Sequence, residues 1–257
     1  MRNRTKAAAL LLLLLCVAAT AAAQTPAPTQ TQTQTPAPTQ TPAPSQMQTP
    51  TPTPAGPPVP RPTPTPTAAE AQKSAEAQKK YDALLAQAKK AEGAVDYKSL
   101  RFAFFETANY SPLAGMIVQR NLWGLVNQGN FAEAAKQAEA ALEKNYVDAN
   151  AHMVAYVAHR ELKDEEKSKL HRRWADGLLE SIKSGGDGKS PDTAWHVISI
   201  SEEYAVLRSM NLRPAGQSLV NANGHAYDAM KTIDPQSNTE VTYFFNVDKP
   251  FSAYGRK

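Results

Sequence analysis

The chain has 257 residues, a net charge of +4 and a single cysteine, Cys16. One cysteine excludes a disulfide framework and a multi-thiolate metal site. Arg2, Arg4, Lys6 and Arg61 all precede the first acidic residue, Glu70; removing these four from the 28 Lys and Arg leaves 24, against 24 Asp and Glu, so no basic excess remains to neutralise nucleic-acid phosphates.

Residues 1–23 have the three parts of a secretory signal peptide. A basic start (Arg2, Arg4, Lys6) precedes an apolar run from Ala7 to Ala19, and Ala21-Ala22-Ala23 offers a small-residue cleavage site. The run is short for a bilayer span, and retention as an anchor is the alternative. A lipobox needs a small residue before its cysteine, and Leu15 stands there. Cleavage after Ala23 leaves no thiol nucleophile. The sequence therefore predicts an exported protein, periplasmic or extracellular, with no transmembrane segment once the signal is removed.

Residues 24–67 hold 15 of the 20 prolines and almost no large apolar side chain. Such a stretch cannot form a core, and its prolines favour extended polyproline II. It reads as a disordered Pro/Thr-rich spacer; a recognition ligand or a glycosylated stalk would need a motif it does not show.

Residues 68–93 are rich in Ala, Glu, Lys and Gln, with Tyr81, Leu84, Leu85 and Ala88 at helical spacing and Gly93 at the end. A second helix is predicted over 96–107, with Tyr97, Leu100, Phe104 and Phe105 on one side. Ser111-Pro112 offers a cap and a first-turn proline for a third helix over 113–127, which carries Ile117, Leu122, Trp123 and Val126. Further helices are predicted over 131–144, 148–162 and 165–184, with turns at Gln128-Gly129-Asn130 and Lys163-Asp164. The two turns lie 34 residues apart, Gly129 against Lys163. That period, and GNFAEAAKQAEAALEKN (129–145) with its Gly-x-aromatic turn and small Ala positions, resembles the tetratricopeptide repeat, whose helices form peptide- or protein-binding grooves. The second copy is degenerate, so the expectation is a short tetratricopeptide-like segment and not an array.

After Ser190 the pattern changes. Val241, Tyr243, Phe245 and Val247 alternate with Thr242, Phe244, Asn246 and Asp248, as in a strand with one buried face. His225 to Ile233 is a second strand, joined to the first by the hairpin-like DPQSN. Leu212–Gly216 and Asn221–Gly224 read as turns. Val197, Ile198 and Ile200 favour a strand over 196–210, although a helix fits almost as well. The predicted class is α+β: antiparallel helix pairs over 94–184, then a small antiparallel sheet over 190–251, in one domain spanning 94–257.

One stretch imitates a nucleotide site. SGGDGKSPDTA (184–194) ends a Walker-type loop with Gly188-Lys189-Ser190, but the glycine needed at position 183 is Lys183. A helix-spaced segment precedes it where a strand should be, and Pro191 removes an N–H that a phosphate would need. Asp187-Gly188 reads instead as a tight turn, and Ser190-Pro191 as the start of a helical turn. His152 and His159 share a helix face, yet no His-Glu-x-x-His is present, so no metal and no cofactor are predicted. Glu202 and Glu203 point to opposite faces if their segment is a strand. One of them could still act with Asp187 or His196 as an acid or base.

Three segments in this order carry a second resemblance: DYKSLRFAFFETANYSP (96–112), SGGDGKSPDTAWHVISISEEYAVL (184–207) and GHAYDAMKTID with VTYFFNVDKPF (224–251). Together they resemble domain of unknown function family 4919, secreted bacterial proteins, over about residues 94–251, with the alanine-rich helix outside. The resemblance supplies no catalytic residue. The expectation is a non-enzymatic interaction module of the cell envelope that binds a protein or peptide. The alternative is a small-ligand binder or hydrolase at the helix–sheet junction. Asp187, Lys189, Trp195, Glu202, Glu203 and Tyr204 are the candidate contact residues for either.

Overall fold

The computed structural model describes residues 68–90 and 93–254. The expected signal peptide and Pro/Thr-rich spacer lie outside the described residues. The helices are α1 (Ala68–Lys90), α2 (Tyr97–Phe105), α3 (Ala114–Asn127), α4 (Phe131–Lys144), α5 (Ala149–Glu161), α6 (Glu165–Lys183), α7 (Ile200–Ser209) and α8 (Asp248–Tyr254). The strands are β1 (Trp195–His196), β2 (Arg213–Ala222), β3 (His225–Ile233) and β4 (Glu240–Asn246).

Three helices start on an aspartate whose carboxylate accepts an orphan backbone N–H. Asp96 takes that of Ser99 at 2.9 Å, Asp148 that of Ala151 at 3.1 Å and Asp164 that of Lys167 at 3.1 Å. The hairpins α3–α4 and α5–α6 have the same turn. Gln128, Gly129 and Asn130 donate to the carbonyls of Gly124, Val126 and Leu125; 34 residues on, Leu162, Lys163 and Asp164 donate to Ala158, Arg160 and His159. Gly129 and Lys163 both sit in the left-handed region, at φ 72° and 64°. Small residues let the hairpins close up. Ala134, Ala135 and Ala138 of α4 meet Ala151, Ala155 and Ala158 of α5 in one buried cluster, with Leu122, Leu142 and Val154.

The larger core lies where α2, α6 and α7 meet the sheet. It joins Leu100, Phe104 and Phe105 to Trp174, Leu178, Ile182, Val206, Leu207, Met230, Phe245 and Val247. α1 contributes to it through Tyr81 and Ala88, and the Tyr81 ring lies 5.3 Å from that of Phe104.

The sheet order is β1-β4-β3-β2. β2, β3 and β4 form the antiparallel meander, with Tyr227 opposite Asn246 and Ala222 opposite His225. β1 pairs parallel to β4, Trp195 opposite Phe245, so the sheet is mixed where a purely antiparallel one was expected.

Three local expectations are corrected. Leu212–Gly216 is not a turn: from Arg213 onward it is β2, which accommodates Pro214 because it is an edge strand with a bulge between Pro214 and Gly216. Ser111 does not cap α3, which starts at Ala114 behind Leu113 with no side-chain cap. The strand favoured over 196–210 ends at His196, and Ile200–Ser209 takes the helix that fits the sequence almost as well. Glu202, third in that helix, reaches back to accept the Ile198 N–H at 2.8 Å.

Candidate functional site

The Gly-Lys-Ser stretch is a structural turn. It follows α6 directly, and Asp187 Oδ1 holds it by accepting the Thr193 hydroxyl at 2.7 Å and the Lys189 N–H at 3.1 Å. These bonds, the Thr193 hydroxyl first, keep the Asp187 carboxyl below its ordinary range. Ser190 and Thr193 cap each other reciprocally around Pro191, as the sequence implies. Gly188, at φ 72°, donates to the Thr193 carbonyl at 2.9 Å and accepts the Phe244 N–H at 2.7 Å. A Cβ there would lie 2.7 Å from the Trp195 ring. Lys189 is exposed.

Trp195, one of the candidate contact residues, is buried in the fold. It is 3% exposed, donates Nε1–H to the Gly186 carbonyl at 2.9 Å and stacks on Tyr243 at 5.0 Å between centroids. Tyr204 is half-buried against the main core.

Glu202 and Glu203 are adjacent on α7, and both are buried. Their segment is a helix and not a strand, and helical spacing turns them to different partners. Glu202 pairs with Arg101, itself fully buried: Nε donates to Oε1 at 2.7 Å and Nη2 to Oε2 at 2.6 Å. Arg101 also donates to the Ser181 hydroxyl at 3.2 Å and the His196 carbonyl at 3.0 Å. Glu203 faces Asp228 with no N–H or hydroxyl donor among the described residues. Burial first, then the Asp228 charge, push the Glu203 carboxyl well above its ordinary range. Burial also raises the Asp228 carboxyl, which accepts Gln217 Nε2 at 2.7 Å. Asp187, in the exposed turn, joins neither pair.

Beside Glu202 lies a cavity of about 160 Å³, bordered by Tyr110, Asp148, Asn150, Ile198 and Ser201. Asp148 is half-buried as a residue, but protein packs around its carboxyl, and burial pushes it up to about 6. Asn150 Nδ2 donates to the Ser201 carbonyl at 2.8 Å and contacts its hydroxyl at 2.9 Å, so the polar wall is mostly self-satisfied.

The larger opening is a cleft of about 400 Å³ between α1, α4 and α6. Tyr81, Leu85, Leu142, Tyr146 and Leu170 give it apolar walls; Lys89, Lys144, Lys167, Asp82, Glu139 and Glu143 give it charges of both signs. Its volume falls in the range of ligand sites.

His171 forms part of this wall and begins a chain of imidazoles. His152 Nε2 lies 3.0 Å from the Tyr146 carbonyl, which can only accept, so that nitrogen carries hydrogen. Burial pushes His152 down to about 3 and His171 down to about 4, so both rings are neutral. His152 Nδ1 then holds a lone pair, and His171 Nδ1, 3.0 Å away, must donate to it. His171 Nε2 is left with the lone pair. His159 stacks on His171 at 5.6 Å, and its Nε2 lies 3.0 Å from Glu139 Oε1, which also accepts Lys167 Nζ at 2.9 Å. Burial would raise Glu139, but Lys167 and His159 outweigh it and hold the carboxyl below its ordinary range.

Arg101, Asp228 and the His171–His159–Glu139 group escaped the sequence reading. Arg101 had a signal: one cation inside the apolar run LRFAFF must be buried with a partner. The histidines had none, since they meet only through the packing of α4, α5 and α6.

The profile of the domain of unknown function family 4919 (DUF4919) matches residues 70–256, so the chain belongs to that family. The match takes in α1, which the sequence reading left outside. No curated protein and no solved structure matches the chain.

Two predictions follow from this geometry. Gly188→Ala should lower unfolding free energy by about 2–4 kcal/mol, from left-handed strain and the Trp195 contact, while Lys189→Ala stays within about 0.5 kcal/mol. Urea titration of both variants checks the contrast, and a nucleotide-type role for Lys189 has no part in it. The second concerns His152, whose depressed pKa gives stability that is present above about pH 6.5 and lost as pH falls toward its folded value. Asp148 and Glu203, both raised, slope the opposite way, so the difference between proteins is the readout. The stability advantage of the wild type over His152→Gln should shrink by about 2 kcal/mol between pH 7.5 and 4.5.

Proposed function

We propose that this member of the DUF4919 family is an exported, non-catalytic binding module that takes a short peptide segment of an envelope protein into the cleft between α1, α4 and α6. The observation that carries the reading is the cleft itself: apolar walls of Tyr81, Leu85, Leu142 and Leu170 under a rim bearing both signs of charge. An apolar anchor side chain flanked by charged residues complements it. The helix–turn–helix units repeating at 34 residues support a tetratricopeptide-like origin, and groove binding of peptides is the usual role of such units, here by analogy of fold. Export rests on the form of residues 1–23. Among the described residues no helix is long and apolar enough to cross a membrane, which accords with a domain outside the bilayer.

The alternative, a small-ligand or hydrolytic site around Asp187–Tyr204, has weaker support. Glu202 is committed to Arg101, Glu203 to Asp228 and Asp187 to its own turn.

Selection from a random peptide library, followed by fluorescence anisotropy, tests the reading. Selected peptides should lose at least about tenfold in affinity for Leu170→Asp, which places a charge on the exposed edge of the cleft, and keep it for Leu219→Asp on β2. Peptides that bind both variants alike, or no enriched peptide at all, would reject it.

A further inference from the structure

Glu139, His159 and His171 come from three successive helices, α4, α5 and α6, and each offers a ligand atom within 4.8 Å of the other two. We propose that these three side chains bind a divalent d-block ion, with Zn²⁺ the best match, at the wall of the α1–α4–α6 cleft. Two imidazoles and one carboxylate are a donor set for zinc with a position left open. The opening faces the cleft, which Glu139 and His171 line.

The hydrogen-bond chain prepares both rings. His171 donates Nδ1–H to His152, which is anchored on the Tyr146 carbonyl, so its Nε2 lone pair is held in a fixed direction. His159 shows the complementary feature. Its Nδ1 is buried with no hydrogen bond among the described residues, while Asp164 Oδ2 lies 3.5 Å away. A buried nitrogen in that state needs a reason. Metal binding supplies one. With a proton on Nδ1, His159 coordinates through Nε2 and donates Nδ1–H to Asp164. The result is a carboxylate–imidazole–metal relay on one ligand and an imidazole relay on the other.

The charge also fits. Glu139 Oε1 is now shared by the His159 Nε2–H and the Lys167 ammonium. A dication takes the place of both, and Lys167, half-exposed, is free to swing into solvent. Tetrahedral coordination at ~2.0–2.1 Å brings ligand atoms to roughly 3.3 Å from one another, so the group must contract. Glu139, with a side chain 40% exposed, has the room to turn inward.

The inference shares its cleft with the peptide reading and stands without it, because metal affinity is measured with no peptide present. The test uses the full chain, stripped with a chelator and titrated with Zn²⁺ by calorimetry and with Co²⁺ by visible absorption. One saturable Zn²⁺ per chain is expected, with the intense bands of tetrahedral Co²⁺. Glu139→Gln and His171→Gln should each weaken Zn²⁺ at least about 100-fold, and Asp164→Asn about tenfold. His225→Gln, at the surface His225–Asp248 pair, should leave affinity unchanged. Circular dichroism confirms that each variant folds; Glu139→Gln, near-isosteric and partly exposed, keeps the test decisive if a histidine variant does not. No saturable Zn²⁺, or wild-type affinity in folded Glu139→Gln, would overturn the assignment.

Discussion

The ion pair between Arg101 and Glu202 is the contact on which the arrangement of helices and sheet depends. A guanidinium with no exposure is costly to desolvate, and close pairing makes it tolerable. Here four of its five N–H groups are bonded: Glu202 takes two, Ser181 one and the His196 carbonyl one. Those acceptors lie on α7, α6 and β1, so a residue of α2 registers three elements that follow it in the chain. Glu202 in turn receives the Ile198 N–H, which positions the start of α7. Replacement by apolar residues would keep the burial and remove a feature that makes other dockings of α7 costly.

Around this pair the molecule separates two kinds of buried polarity. At the sheet, polar groups face one another: Arg101 and Glu202, Glu203 and Asp228, Asp187 and its turn. At the helical face the balance differs. His159 Nδ1 makes no hydrogen bond among the described residues, with Asp164 Oδ2 3.5 Å away, and His171 presents a lone pair at the wall of an open cleft. These imidazole nitrogens lie on α5 and α6, away from the glycine-rich stretch that first attracts attention.

Much of the helical half was legible because its signals are local. Asp148 and Asp164 cap where a short polar residue precedes an apolar stripe, and the left-handed turns at Gly129 and Lys163 repeat at the period read from the sequence. The β3–β4 hairpin was equally clear from alternation. The misreadings have a common cause in competition between local preference and tertiary context. Ile198 and Ile200 favour a strand, yet Ser199-x-x-Glu202 has the spacing of a helix start, and the Arg101 partner decides in its favour. Pro214 suggested a turn because its tolerance on an edge strand depends on there being no neighbour beyond it. Of the candidate residues, Asp187 sits in the turn that its Asp-Gly pair signals, while the partners of Glu202 and Glu203 could not be read from spacing alone. The histidine group was invisible because 12 and 20 residues separate its members, with no repeat to flag them.

The most direct test of the docking account is a double-mutant cycle on the buried pair, using Arg101→Met, Glu202→Met and the two together, with unfolding free energies from urea titration. Each single replacement strands a buried charge and should lower stability by about 3–5 kcal/mol, while the double variant should recover at least about 2 kcal/mol relative to their sum. Simple additivity would contradict the claim that these two side chains act as one unit.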